Sequence, residues 1–164
     1  MPGGVRTWAP VGETPLLRCK LTRDHYSVIS AITPTGEFYM AMQTTAYDSA
    51  AVIAFLEQLQ SAIEGKLLII WDGATIHRSQ AIKDFLAAGA AARIWLERLP
   101  GYAPHLNPDE GIWHYLKHVE LRNVCCHDLR QLKQELTAAV ERLSAKPEII
   151  IGCFAALDDY KKST

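Results

Sequence analysis

The chain has 164 residues, with 49% hydrophobic and 21% charged side chains and a formal net charge of −1. That is the make-up of a water-soluble globular domain large enough to bury a core without metal or disulfide staples. The near-zero charge excludes a protein that binds nucleic acid through an overall basic field, although not one with a local basic patch. The longest apolar run, Leu67 to Trp71, is far too short to span a membrane, and the first residues lack the apolar core of a signal peptide. The four cysteines, Cys19, Cys125, Cys126 and Cys153, form no C-x-x-C pair, so they read as reduced, mostly buried thiols of a cytosolic protein.

Residues 1–15 are rich in Pro and Gly and read as an irregular lead-in. A strand-like stretch runs from Leu16 to Ile32, broken at Thr22-Arg23-Asp24. Pro34-Thr35-Gly36 turns it into a second strand, Phe38 to Met42, which predicts an antiparallel hairpin. Asp48-Ser49 offers an N-cap, and Val52, Ile53, Leu56, Leu59 and Ile63 then recur at helical spacing up to Gly65. The unbroken run Leu67 to Trp71, closed by Asp72, suits a strand buried on both faces. A helix from about Ser79 to Ala88 ends at Gly89, and Ala92 to Leu96 reads as a short strand. Three prolines between Pro100 and Pro108 demand a loop. Asn107-Pro108-Asp109-Glu110 opens a third helix with Ile112, Trp113, Leu116 and Val119 on one face and Asp109 toward solvent. A fourth begins near Asp128 and carries Leu129, Leu132, Leu136, Val140 and Leu143. Pro147 breaks it, and the tail 148–164 is assigned no element. Strands alternating with helices argue for an α/β layered domain with a mixed sheet.

Two acids stand out. Asp72 ends the most apolar strand, where α/β sheets collect functional groups; an Asp before Gly is equally suited to capping the next turn. Glu110 lies three residues after Asn107, with Pro108 between, which is a capping-box arrangement at a helix start. His77, His105, His114 and His118 raise the question of zinc. His114 and His118 are four apart on one helix face, but no H-E-x-x-H string accompanies them.

Assembled, these segments resemble a known family. Leu99-Pro100-Gly101-Tyr102-Ala103-Pro104-His105-Leu106-Asn107-Pro108-Asp109-Glu110-Gly111-Ile112-Trp113, followed by Leu116-Lys117, resembles the hallmark of mariner-like DDE transposases, and most closely their bacterial insertion-sequence 630 group. Ile69-Ile70-Trp71-Asp72-Gly73-Ala74-Thr75-Ile76-His77-Arg78-Ser79 resembles that family's second motif, and Arg6-Thr7-Trp8-Ala9-Pro10-Val11-Gly12-Glu13-Thr14-Pro15 its R-x-W-A-P segment. The likeness extends to about residue 145. It implies a ribonuclease-H-like catalytic domain spanning 1–164. It further implies a D-D-E triad binding two Mg2+ or Mn2+ ions, and metal-dependent DNA cleavage and strand transfer at transposon ends and target. By the same resemblance Asp72 is the second acid and Glu110 the third, with His77 and Asn107 beside the site. The implied protein is a bacterial, nucleoid-associated cytoplasmic one with no membrane association, working as a homodimer or alongside an intact transposase.

The sequence departs from the family's pattern at three places. Gly73 stands where Asn is commoner, and His105 where an acid is frequent. The first acid of the family lies upstream of the R-x-W-A-P segment, and here no Asp or Glu precedes Glu13; Asp24 and Asp48 do not match the motif. The expectation is therefore an N-terminally truncated domain without its first, central strand and without the family's helix-turn-helix domain. The alternative function is an inactive remnant, or a fragment that pairs with an intact transposase or with its own missing half.

Overall fold

The computed structural model describes residues 9–12, 25–101 and 103–162, with side chains to residue 155. The start of the first strand-like stretch and most of the lead-in lie outside these residues. The element order is β1 (Ser27–Ile32), β2 (Phe38–Gln43), α1 (Ser49–Ala62), β3 (Leu67–Trp71), α2 (Gln80–Ala87), β4 (Ile94–Arg98), α3 (Pro108–Tyr115), α4 (Leu129–Ser144) and α5 (Pro147–Lys162). The described strands form two two-stranded sheets, β1 with β2 and β3 with β4. Residues 33–37 are too few for a crossover, so β1 and β2 run antiparallel. Strands β3 and β4 are parallel, with α2 as their crossover, in a register from Leu67 opposite Ile94 to Trp71 opposite Arg98.

Helix starts follow the capping residues. Asp48 Oδ1 accepts the Ala51 N–H at 2.8 Å, Ser79 Oγ that of Ile82 at 3.4 Å, and Asp128 Oδ1 that of Gln131 at 2.7 Å. The end of α1 departs from the expectation of a glycine stop. It turns extended at Ile63, and the Arg93 guanidinium gathers its loose carbonyls, reaching Gln60 O at 3.0 Å, Ile63 O at 2.6 Å and Gly65 O at 2.9 Å. A cation at a helix C-terminus meets both the orphan carbonyls and the helix dipole. Pro147 separates α4 from a further helix, α5, whose first residue it is; a proline fits there because no N–H is needed.

The chain divides into two compact units, one of residues 27–31 and 39–107, the other containing the turn 32–38 and everything from Pro108 onward. In the first, Val52, Leu56, Ile82 and Ile94 are buried, with Ile29, Leu67, Ile69, Trp71 and Leu96 packed around them. The core of the second is helical: Ile112, Leu116, Leu136, Ala139, Leu143 and Ile150 come from α3, the turn after it, α4 and α5. There the turn between β1 and β2 meets α5. Gly36 has φ +94°, and a Cβ on it would lie 2.6 Å from Cβ of Pro147, so only glycine suits this position.

Four expectations are corrected. Strand β3 is buried on one face only, with Leu68 64% and Ile70 56% exposed beside Trp95 on β4. A continuous apolar run does not reveal whether a second layer covers it, and α1 and α2 cover one side. Strand β4 begins two residues later than expected, because Ala90–Ala92 form a 3-10 turn first. Val119 is exposed, because α3 passes into a π-helical turn, Leu116–Glu120, that re-phases its face. Cys125 is disulfide-bonded, whereas Cys126 and Cys153 are free and only half-buried. A disulfide needs two sulfurs brought together by the fold, and spacing along the chain does not report that.

Candidate functional site

Asp72 follows the last residue of β3, and its side chain is 67% exposed. Its Oδ1 takes both described hydrogen bonds, from the Ala74 N–H at 2.9 Å and from Nε2 of His77 at 3.2 Å. The first is the turn-capping role expected of an Asp before Gly. The second is supplied by a 3-10 turn, Thr75–Arg78, which brings His77 back over the strand end. The turn is pinned to α1 by Ser49 Oγ, which donates to the Ile76 carbonyl at 3.4 Å. His77 stacks on Trp71 with ring centroids 4.3 Å apart and planes 16° off parallel. Its side chain is only 12% exposed. Burial lowers its pKa, and the charge and hydrogen bond of Asp72 push the other way without prevailing. A neutral ring donating from Nε2 leaves Nδ1 as the acceptor, and that atom is buried without a hydrogen-bond partner among the described residues. Trp71, His77 and Asp72 thus form one packed ledge at the carboxyl end of β3.

Glu110 lies in the first turn of α3, exposed, in the other unit of the chain. Asn107 is the last residue of the unit that holds Asp72. Its backbone is extended, and its N–H closes the preceding 3-10 turn onto the Pro104 carbonyl at 2.9 Å. Asp109 does not face solvent as expected. It is half-buried, and its Oδ2 accepts the Trp113 indole N–H at 3.0 Å, one helical turn on. This leaves Glu110 as the first-turn acid directed outward.

The donor chemistry of Asp72 and Glu110 suits a hard divalent cation, which takes carboxylate oxygens. Both side chains are exposed, and Asp72 commits only Oδ1 to the described bonds. Among the described residues no three His, Cys, Asp or Glu side chains come close enough together to hold a metal ion. The oxygens therefore fit Mg2+ or Mn2+, while a complete protein ligand set is not gathered among these residues. Of the histidines considered for zinc, His114 and His118 lie with ring centroids 4.5 Å apart, again without a third ligand among the described residues.

One neighbour of the site was not singled out from sequence. Arg98 ends β4 opposite Trp71, and its guanidinium lies against the backbone of Gly73. The usable signal was the parallel pairing: whichever residue ends β4 stands beside the strand end that carries Asp72.

None of the described helices is long and apolar enough to cross a membrane. Comparison with known proteins places these observations. The chain is similar in fold to the Mos1 mariner paired-end complex with Mn, with a TM-score of 0.72 and 17% identity over 96% of this chain and 49% of that one. It is similar also to the Mos1 strand transfer complex, at 0.67 and 18% over 97% of this chain and 48% of that one. For the Mos1 transposase paired-end complex with the left transposon end the values are 0.61 and 15%, over 92% and 50%. The chain thus spans about half the length of these structures, and the shared fold is the ribonuclease-H-like one. No curated protein sequence matches it. The family model described as DDE superfamily endonuclease matches residues 4–133, well over half of the 164, and the chain belongs to that superfamily.

Proposed function

We propose that this chain is the catalytic domain, or a piece of it, of a DNA transposase of the bacterial insertion-sequence 630 kind. Its substrate is then the phosphodiester backbone of transposon ends and target DNA, in the cytoplasm at the nucleoid. Asp72 and Glu110 would hold Mg2+ or Mn2+ through their carboxylates. Such ions, when bound, activate a water or a DNA 3′-hydroxyl and stabilise the leaving oxygen. The chain's own contribution at Asp72 is orientation. The Ala74 N–H and His77 Nε2 both hold Oδ1, which restrains the carboxylate and leaves Oδ2 outside the described hydrogen bonds. His77 acts as a positioning residue, neutral and packed on Trp71.

The observation that carries this reading is the Asp72 ledge at the end of β3, within a chain whose family is defined by carboxylates in metal-dependent nucleases. Titration of Mn2+ into the protein by calorimetry tests it. Binding lost in both Asp72→Ala and Glu110→Ala supports a site shared by the two acids. Binding indifferent to either substitution sinks the proposal.

A second reading is favoured by one observation, the lack of a three-ligand cluster among the described residues. In it the chain works only together with an intact transposase or with a second polypeptide that supplies the remaining acid. Mn2+ binding that appears only on adding such a partner would support that reading over the first.

A further inference from the structure

Gly73 directly follows Asp72, and the space its side chain would take is filled. A Cβ on Gly73 would lie 3.0 Å from Nε and Nη2 of Arg98 and 3.2 Å from its Cζ. Arg98 reaches this place because it ends β4 in register with Trp71, and the Leu99 N–H ties the two strand ends by donating to the Trp71 carbonyl at 2.8 Å. A Cβ at position 73 would therefore require the guanidinium to give way by a few tenths of an ångström.

The arginine is exposed and, among the described residues, is not paired with an acid. The ion pairs among the described residues are His77 with Asp72, Arg142 with Glu120 and Lys146 with Glu120, and Arg98 is in none of them. A guanidinium packed on backbone beside an exposed carboxylate, yet not paired with it, has its planar set of N–H donors available to an outside anion. Arginine's fork matches two phosphate oxygens at once, which lysine's point charge does not. We infer that Arg98 is a phosphate anchor, binding a backbone phosphate of the DNA at the Asp72 edge, and that Gly73 is the gap that seats it. The inference rests on the transposase reading, which supplies the phosphodiester. It adds a positioning residue that grips the strand next to Asp72.

The test is binding of a short labelled DNA duplex to the full chain across a salt series, without added divalent ions so that no cleavage follows. Each phosphate contact contributes about 0.9 to the slope of log affinity against log salt. Arg98→Ala should weaken binding several-fold and make that slope shallower by about 0.9. Arg98→Lys should recover the slope but only part of the affinity. Gly73→Ala should weaken binding less than Arg98→Ala, and in the double variant it should add nothing, because the residue it displaces is already gone. Thermal midpoints of the Arg98 variants should match the parent, since the side chain is exposed.

An unchanged slope in Arg98→Ala overturns the inference, as does full additivity of Gly73→Ala with Arg98→Ala. Failure of the parent chain to bind the duplex at any salt overturns it too. The Mn2+ titration is independent of these measurements. Metal binding with an unaltered slope removes the anchor alone. A loss of slope without metal binding keeps the anchor and removes the catalytic reading.

Discussion

Two carboxylates, Asp72 and Glu120, show how differently this chain treats its acids. The Glu120 side chain is only 6% exposed and is saturated. Arg142 Nε donates to it at 2.6 Å, Lys146 Nζ at 2.9 Å and the Tyr115 hydroxyl at 2.8 Å. Burial pushes its pKa up, but the hydrogen bonds from Arg142, Lys146 and Tyr115, with the Lys146 charge, outweigh it and hold the group at about 2. Asp72 is 67% exposed, uses one oxygen, and has a neutral histidine as its side-chain partner. The buried acid ties the π turn after α3 to α4 and to the residue before α5, and has nothing left to offer a ligand. The exposed acid contributes little to folding and keeps an oxygen in reserve.

This contrast can be broken most forcefully at Glu120. Glu120→Gln keeps the shape but removes the charge that two cations share, and should cost roughly 3 kcal/mol in urea unfolding at neutral pH. The folded pKa, about 2, lies below the ordinary value of 4.5. The group therefore contributes its full stabilisation above the unfolded value and loses it as pH falls from about 4.5 toward about 2. The parent protein should lose about 3 kcal/mol across that window from this group, and the Gln variant should lack that component. An acid-unfolding curve unchanged by the substitution would show that the network carries no net stability.

A smaller effect of opposite sign is expected at His77. His77→Phe keeps the stack on Trp71, removes a buried nitrogen that has no hydrogen-bond partner among the described residues, and forfeits only a bond to an exposed carboxylate. Stability should rise by up to about 1 kcal/mol, while Mn2+ affinity falls because Asp72 is no longer held. A destabilised variant would mean that the Asp72 contact matters to the fold. The smallest effect belongs to Asp72→Asn, within about 0.5 kcal/mol in stability, since an amide oxygen can still accept from Ala74. Its Mn2+ binding should nonetheless disappear, and that pairing of outcomes separates a ligand from a structural cap.

Much of this was legible in advance where the governing interactions are local. The caps Asp48, Ser79 and Asp128, the α1 and α4 stripes and the β1–β2 turn all depend on residues within a few positions of one another. The Asp72 motif was legible as well, both as a turn cap and through family likeness. What escaped was non-local. Arg93 capping α1 joins positions more than two dozen apart in sequence, and the Glu120 knot joins α4 and the residue before α5 to the helix after Asn107. The approach of Arg98 to Gly73 depends on strand register, which periodicity does not encode.

The π turn at Leu116–Glu120 has a consequence for insertions and deletions. A π turn carries more residues per revolution than an α turn, so the face presented after it is offset from the face before it. Removing one residue there would restore ordinary helical phase and rotate everything downstream by roughly 100°. Glu120 would swing away from Arg142 and Lys146. A change of a single position between 116 and 120 would therefore have to be answered by another nearby. Length, rather than residue type, is the quantity this segment holds fixed.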